Sequence, residues 1–102
     1  MTTQIQSVHF DADKKLLSHV EEKVGKLKTF HGSIITSNVI LRIDKGNENS
    51  NKVAEVKLNA PGMELFAKKQ CSTFEEAIDT ACDALKTQIK KHKEKVMSVR
   101  SA

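Results

Sequence analysis

The side chains best suited to act as bases, nucleophiles or zinc ligands are four histidines, His9, His19, His31 and His92, and two cysteines, Cys71 and Cys82. They are scattered along the chain, and no histidine stands at a zinc-ligand spacing from either cysteine. Cys82 and His92 both project near the apolar stripe of the last helical segment, which points to packing and not to reactivity. No glycine-rich phosphate loop, nucleophile elbow or paired-carboxylate motif occurs in the 102 residues. Two cysteines are also too few for a disulfide scaffold. The chain therefore reads as a non-enzyme, with no catalytic residue, metal ligand, cofactor or small-molecule substrate expected.

Chemistry of another kind is carried by the lysines. Seventeen Lys and Arg against thirteen Asp and Glu give a net charge of +4, which suits a polyanionic partner without requiring one. Placement says more. Residues 73–85 hold Glu75, Glu76, Asp79 and Asp83 with no base, whereas residues 86–100 hold Lys86, Lys90, Lys91, Lys93, Lys95 and Arg100 against Glu94 alone. Acids first and bases last is the order a helix dipole favours anyway, at about 0.3–1 kcal/mol per charge. That run alone does not demand a ligand.

A second set of bases is not explained in this way. Lys15, His19, Lys23 and Lys26 recur at i, i+4, i+8 and i+11 in an earlier helical segment. Lys14 and Lys15 occupy its first turn, where positive charge is disfavoured, and Glu22 is spaced to pair with Lys26. Two helices lying side by side would merge both stripes into one surface that tracks phosphates with little base readout. The candidate RNA-binding residues are Lys15, Lys23, Lys26, Lys28, Lys86, Lys90, Lys91, Lys93 and Lys95. The other common route to RNA, stacking bases on a sheet, needs two or three outward aromatics. This chain has no Trp or Tyr, and of its four Phe only Phe66 falls on the outward sheet face.

The elements that must position these lysines follow from periodicity. Gln4–Phe10 predicts a short strand around Ile5 and Val8. Asp11 and Asp13 supply N-cap chemistry for a helix over Lys14–Thr29, whose stripe is Leu16, Leu17, Val20, Val24 and Leu27. Gly32 and Ser33 break that pattern, and Ile35–Asp44 alternates with Val39, Leu41 and Ile43 on one face. The loop 45–51, a strand over Val53–Ala60, a Pro61-Gly62 turn and a strand over Met63–Cys71 complete an antiparallel meander. Ser72 or Thr73 caps a last helix running to about Met97, with Phe74, Ile78, Ala81, Leu85, Ile89 and Val96 on one stripe.

The order β-α-β-β-β-α predicts an α+β domain, with two helices on one face of a four-stranded mixed sheet. A right-handed crossover sets the first two strands parallel and adjacent. Residues 1–102 read as one domain with an ordered core of about 4–97. The N-terminus lacks a secretory signal, and no apolar run approaches the ~20 residues of a membrane span. A cytoplasmic location and no membrane partner are expected.

Three segments carry a family likeness: HFDADKKLLSHVEEKVGKLKTF, KVAEVKLNAPGMELFAKKQ and TFEEAIDTACDALKTQIKKHKEK. They resemble the ribosome hibernation-promoting factors, also called ribosome-associated inhibitors or sigma-54 modulation proteins, over about residues 4–97. The resemblance implies a fold related to double-stranded RNA-binding domains. It also implies binding to rRNA in the decoding channel of the small ribosomal subunit, in competition with mRNA and tRNA, so that idle ribosomes stay silent in stress or stationary phase. Carried over by position, Lys23 and Lys26 match basic residues of the family's first helix, and Lys91 one near the end of the second. Some members have Arg where this chain has Thr87, with Lys86 and Lys90 nearby. Long members add a C-terminal dimerising domain, and this chain resembles the short form without it. A second small hibernation factor is a further candidate partner. The residues alone also accommodate a general double-stranded RNA binder without ribosomal specificity. A small α/β enzyme would need a pocket of convergent polar groups, of which the sequence gives no sign.

Overall fold

Ile5, Val39, Val56 and Ala67 stand side by side on four neighbouring strands and form one apolar row across a sheet. The computed structural model describes residues 2–30, 32–46 and 49–101, with side chains described as far as His92. Its elements are β1 (Thr2–Val8), α1 (Lys14–Gly25), α2 (Leu27–Phe30), β2 (Thr36–Ile43), β3 (Lys52–Ala60), β4 (Met63–Cys71) and α3 (Phe74–Ser101). The strands lie in chain order, β1-β2-β3-β4, with β1 parallel to β2 and the other pairs antiparallel. This is the mixed sheet that the crossover rule predicts.

Strand alternation puts Val39, Leu41, Ala54, Val56 and Leu58 on the inner face, all at most 1% exposed. Against them pack Leu16, Val20, Val24 and Leu27 from α1 and α2, and Phe74, Ile78, Ala81, Leu85 and Ile89 from α3. Ser37 is the buried polar side chain of this layer, and its hydroxyl donates to Thr3 Oγ1 at 2.9 Å. Among the described residues no buried side-chain nitrogen or oxygen lacks a partner.

Helix starts follow the cap chemistry. Asp13 is the N-cap of α1, its Oδ1 accepting from the Leu16 amide at 2.8 Å, a contact of about 1 kcal/mol. Thr73 does the same for α3 by accepting from the Glu76 amide at 3.1 Å. Between β3 and β4, Pro61 presets its own φ and Gly62 takes φ +70°, the left-handed conformation a tight turn requires.

Four expectations shift. The helix predicted over Lys14–Thr29 is broken at Lys26, whose amide reaches both Glu22 O and Val24 O. Gly25 weakens the helix there, and the Thr29 amide and hydroxyl both bond Lys26 O, at 3.1 and 2.6 Å. That side-chain bond competes with continuation of the helix. The tightened turn keeps Leu27 buried and ends with Phe30 beside α3. The first strand begins at Thr2 and stops at Val8 because His9 adopts φ +63°, after which the Phe10 ring stacks on Phe74 at 4.8 Å. Ile35 precedes β2 and is 57% exposed, although its amide bonds Asn59 O at 2.8 Å. The last helix extends to Ser101, and the side chain of Val96, expected on its stripe, lies outside the described residues.

The outer sheet face bears no helix. Two ion pairs cross its strands, Arg42 Nε with Glu55 Oε2 at 3.0 Å and Lys57 Nζ with Glu64 Oε1 at 3.4 Å.

Candidate nucleic-acid interface

On the helical face, α1 and α2 lie against the same side of α3, and the seam between them gathers the lysines. The buried stripe of α1 sets where its flanking residues fall. One residue before Val20 and Val24, and one turn from each other, His19 and Lys23 face α3 and share one acceptor there. His19 Nε2 lies 2.9 Å from Asp79 Oδ1, and Lys23 Nζ lies 3.8 Å from the same oxygen. Lys26 turns back to Glu22 at 3.5 Å, the i,i+4 pair its spacing predicts.

Further along the seam, Phe30 is 36% exposed and the Lys86 ammonium stands over its ring, 4.7 Å from the centroid. Two adjoining hollows share Phe30 and Lys86 as a common wall. One, about 220 Å³, is lined by Lys23, Lys26, Leu27, Phe30, Cys82, Asp83 and Lys86. The other, about 210 Å³, is lined by Phe30, Lys86, Ile89 and Lys90. Together they form a groove with an apolar floor and four lysines, Lys23, Lys26, Lys86 and Lys90, with Asp83 as the acid in its lining.

Four of the nine lysines singled out from sequence thus meet in one groove. Lys15, Lys28 and Lys91 are exposed outside its lining, and the side chains of Lys93 and Lys95 lie outside the described residues. No acidic side chain reaches ion-pair distance of Lys86, Lys90 or Lys91 among the described residues. Among the described residues these three therefore carry charge with no acidic partner, whereas Arg42 and Lys57 on the outer sheet face are paired. The Thr87 hydroxyl donates to Asp83 O at 3.1 Å, one turn back along the helix, and so is turned away from the groove lysines.

Two features were not read from the sequence. Asp79 appears there only as one acid of the α3 N-terminal half, yet it ties α1 to α3 across sixty positions. Phe30 lies at the end of a broken helix, so its place in the groove depends on that break.

Cys82 borders the groove but is only 7% exposed. Burial, with Asp79 and Asp83 nearby adding to it and Lys23 opposing, pushes its thiol up to about 12. A thiol held so firmly protonated is a packing group. No cluster of three metal-ligating side chains occurs among the described residues. A further hollow, about 440 Å³, is a trough on the outer sheet face lined by Gln4, Gln6, Asn38, Ile40 and Lys57 among others, and it gathers no set of reactive groups. Among the described residues no helix is long and apolar enough to cross a membrane.

Comparison with known proteins agrees with this fold. The chain is similar in fold to a ribosomal subunit interface protein from Coxiella burnetii, with a TM-score of 0.81 at 21% identity over 92% of this chain and 99% of that one. It is likewise similar to the N-terminal domain of Thermus thermophilus Protein Y, with a TM-score of 0.77 at 22% identity, covering 90% and 99%. In sequence it is 30% identical over 99 residues to a ribosome hibernation promoting factor of Pseudomonas putida, covering 97% of this chain and 93% of that protein. A ribosome hibernation promotion factor of Deinococcus radiodurans is 31% identical over 95% of this chain but only 51% of its own length. The family model for sigma 54 modulation protein / S30EA ribosomal protein matches residues 3–97, and the chain belongs to that family.

Proposed function

We propose that the protein binds the small ribosomal subunit, occupies the channel of mRNA and tRNA, and so holds ribosomes inactive in stress or stationary phase. The observation that carries this reading is the groove between α1–α2 and α3, where Lys23, Lys26, Lys86 and Lys90 converge. Ribosomal RNA presents phosphates at a spacing that such a row of ammonium groups can follow, and each contact releases counterions. Lys15, Lys28, Lys91, Lys93 and Lys95 extend the same positive field beyond the groove, and a partly neutralised sheet face leaves the helices as the binding side. Occupancy does the work: exclusion of mRNA and tRNA needs no chemical step, cofactor or small-molecule substrate. The site of action is then the cytoplasm, and a second small factor could share the ribosome.

Co-sedimentation with purified small subunits tests this. Five phosphate contacts, from Lys23, Lys26, Lys86, Lys90 and Lys91, give a log–log slope of affinity against salt of roughly −3.5 to −4.5. Added tRNA and mRNA should displace the protein. Binding that ignores salt or tRNA would refute the reading. Equal affinity for any long RNA duplex would replace it with general double-stranded RNA binding.

A further inference from the structure

The phosphate-tracking groove contains a feature that phosphate tracking does not need. Phe30 is one of only four Phe in a chain without Trp or Tyr, and it is 36% exposed at the centre of the lysine group. Its ring and Ile89 make the apolar part of a hollow of about 210 Å³, whose remaining walls are Lys86 and Lys90. An apolar recess surrounded by ammonium groups is complementary to a ligand with a flat, apolar body and an anionic edge. A nucleotide has both.

We propose that Phe30 is a stacking platform for a single unpaired base of the bound RNA, with Lys86 and Lys90 holding the phosphates on either side of it. This deepens the ribosome-binding reading and rests on it. In the unbound protein Lys86 covers the Phe30 ring at 4.7 Å, a cation–π contact worth about what one such exposed pair provides. A base has a larger π-face and takes that place, and the released Lys86 ammonium turns to the adjoining phosphate. The acids around the groove do not block this exchange, and Glu22 is engaged with Lys26. Asp79 is engaged with His19 and Lys23, and Asp83 lines the neighbouring hollow and not the one containing Ile89 and Lys90. The groove therefore reads an interruption in RNA structure, an extruded base, at one point of an otherwise shape-reading surface.

The full chain tests this with Phe30→Trp and Phe30→Leu, because the absence of native Trp makes F30W a single-Trp reporter. The probes are purified small ribosomal subunits and two short RNA duplexes, identical except that one carries a single bulged adenosine. F30W should bind subunits about as well as wild type, with its emission quenched on binding. F30L should bind them on the order of 10-fold more weakly, the size of one base–aromatic stack, with an unchanged salt slope because no phosphate contact is lost. Wild type and F30W should prefer the bulged duplex, and F30L should not. Melting temperatures of both variants near wild type show that the ring is not a core residue. Wild-type-like binding by F30L, unquenched F30W on bound subunits, or no preference for the bulge would overturn the base subsite while leaving salt-dependent ribosome binding intact. If subunits are not bound but the bulge preference holds, the ribosome reading fails and the subsite stands.

Discussion

Asp79 on α3 accepts from His19 on α1 at 2.9 Å while lying 3.8 Å from Lys23, so one carboxylate joins the two helices and at the same time engages a groove lysine. The two consequences have opposite signs. Asp79→Asn removes an ion pair whose partners are partly solvated, at a cost of about 0.5–1 kcal/mol, which lowers Tm by roughly 2–8 °C. The same change frees Lys23 and adds one positive charge, so small-subunit affinity at low salt should rise and the salt slope steepen by up to about 0.9. Thermal melts and co-sedimentation on one preparation check both.

Lys90→Glu/Lys91→Glu reverses two exposed charges outside the apolar stripe. The variant should melt within a few degrees of wild type and disappear from the ribosomal fractions of a sucrose gradient. The milder Lys90→Ala/Lys91→Ala should reduce the salt slope by about 1.4–1.8, two phosphates' worth.

Leu85 is adjacent in sequence to Lys86 yet fully buried, whereas Lys86 is exposed. Leu85→Ala should cost about 2–5 kcal/mol by cavity formation, lowering Tm by on the order of 10 °C or more. Lys86→Ala should leave Tm nearly unchanged and weaken subunit binding. Swapping which neighbour is altered thus separates folding from recognition.

Cys82 titrates at about 12 in the fold against an ordinary value of 9.0. The folded pKa is the higher one, so the protonated thiol's contribution is fully present below pH 9 and is lost as pH rises toward 12. Stability should therefore decline across that alkaline range, and less so in Cys82→Ala. Chemical denaturation at pH 8 and pH 10 measures the difference. A thiol reagent at pH 8 should label Cys82 only after unfolding.

Gly62 holds φ +70° in the two-residue β3–β4 turn. No neighbouring atom would meet an added Cβ, so Gly62→Ala tests backbone strain alone. The expected cost is about 1–2 kcal/mol, read as a lower denaturant midpoint with an unchanged slope.

What the sequence disclosed was what local chemistry decides. Alternation at Val39, Leu41, Ala54, Val56 and Leu58, the caps at Asp13 and Thr73, and the Pro61-Gly62 turn each depend on residues a few positions apart. They read correctly as strands, helix starts and a hairpin. The break at Lys26 was missed because Leu27 keeps the helical spacing although the backbone does not, and the deciding bond is a threonine hydroxyl to a carbonyl three residues back. The lysine stripes were legible as stripes. Their neighbours in space were not, because Asp79 and Phe30 reach them only through the packing of α1 and α2 on α3. Periodicity along one helix says which face is polar and is silent on what faces it.

The groove's two walls come from opposite ends of the fold, Lys23, Lys26 and Phe30 from the early helices and Lys86, Ile89 and Lys90 from α3. Between them the chain must lay down the whole β2–β4 meander. A nascent chain still threaded in the exit tunnel at Lys90 has its early lysines outside but no second wall and no α3 stripe to close the core. On the proposed reading of this groove, competence to bind RNA arrives late in synthesis, in one step with the last buried layer, so that a partly made copy does not engage the ribosome that is making it.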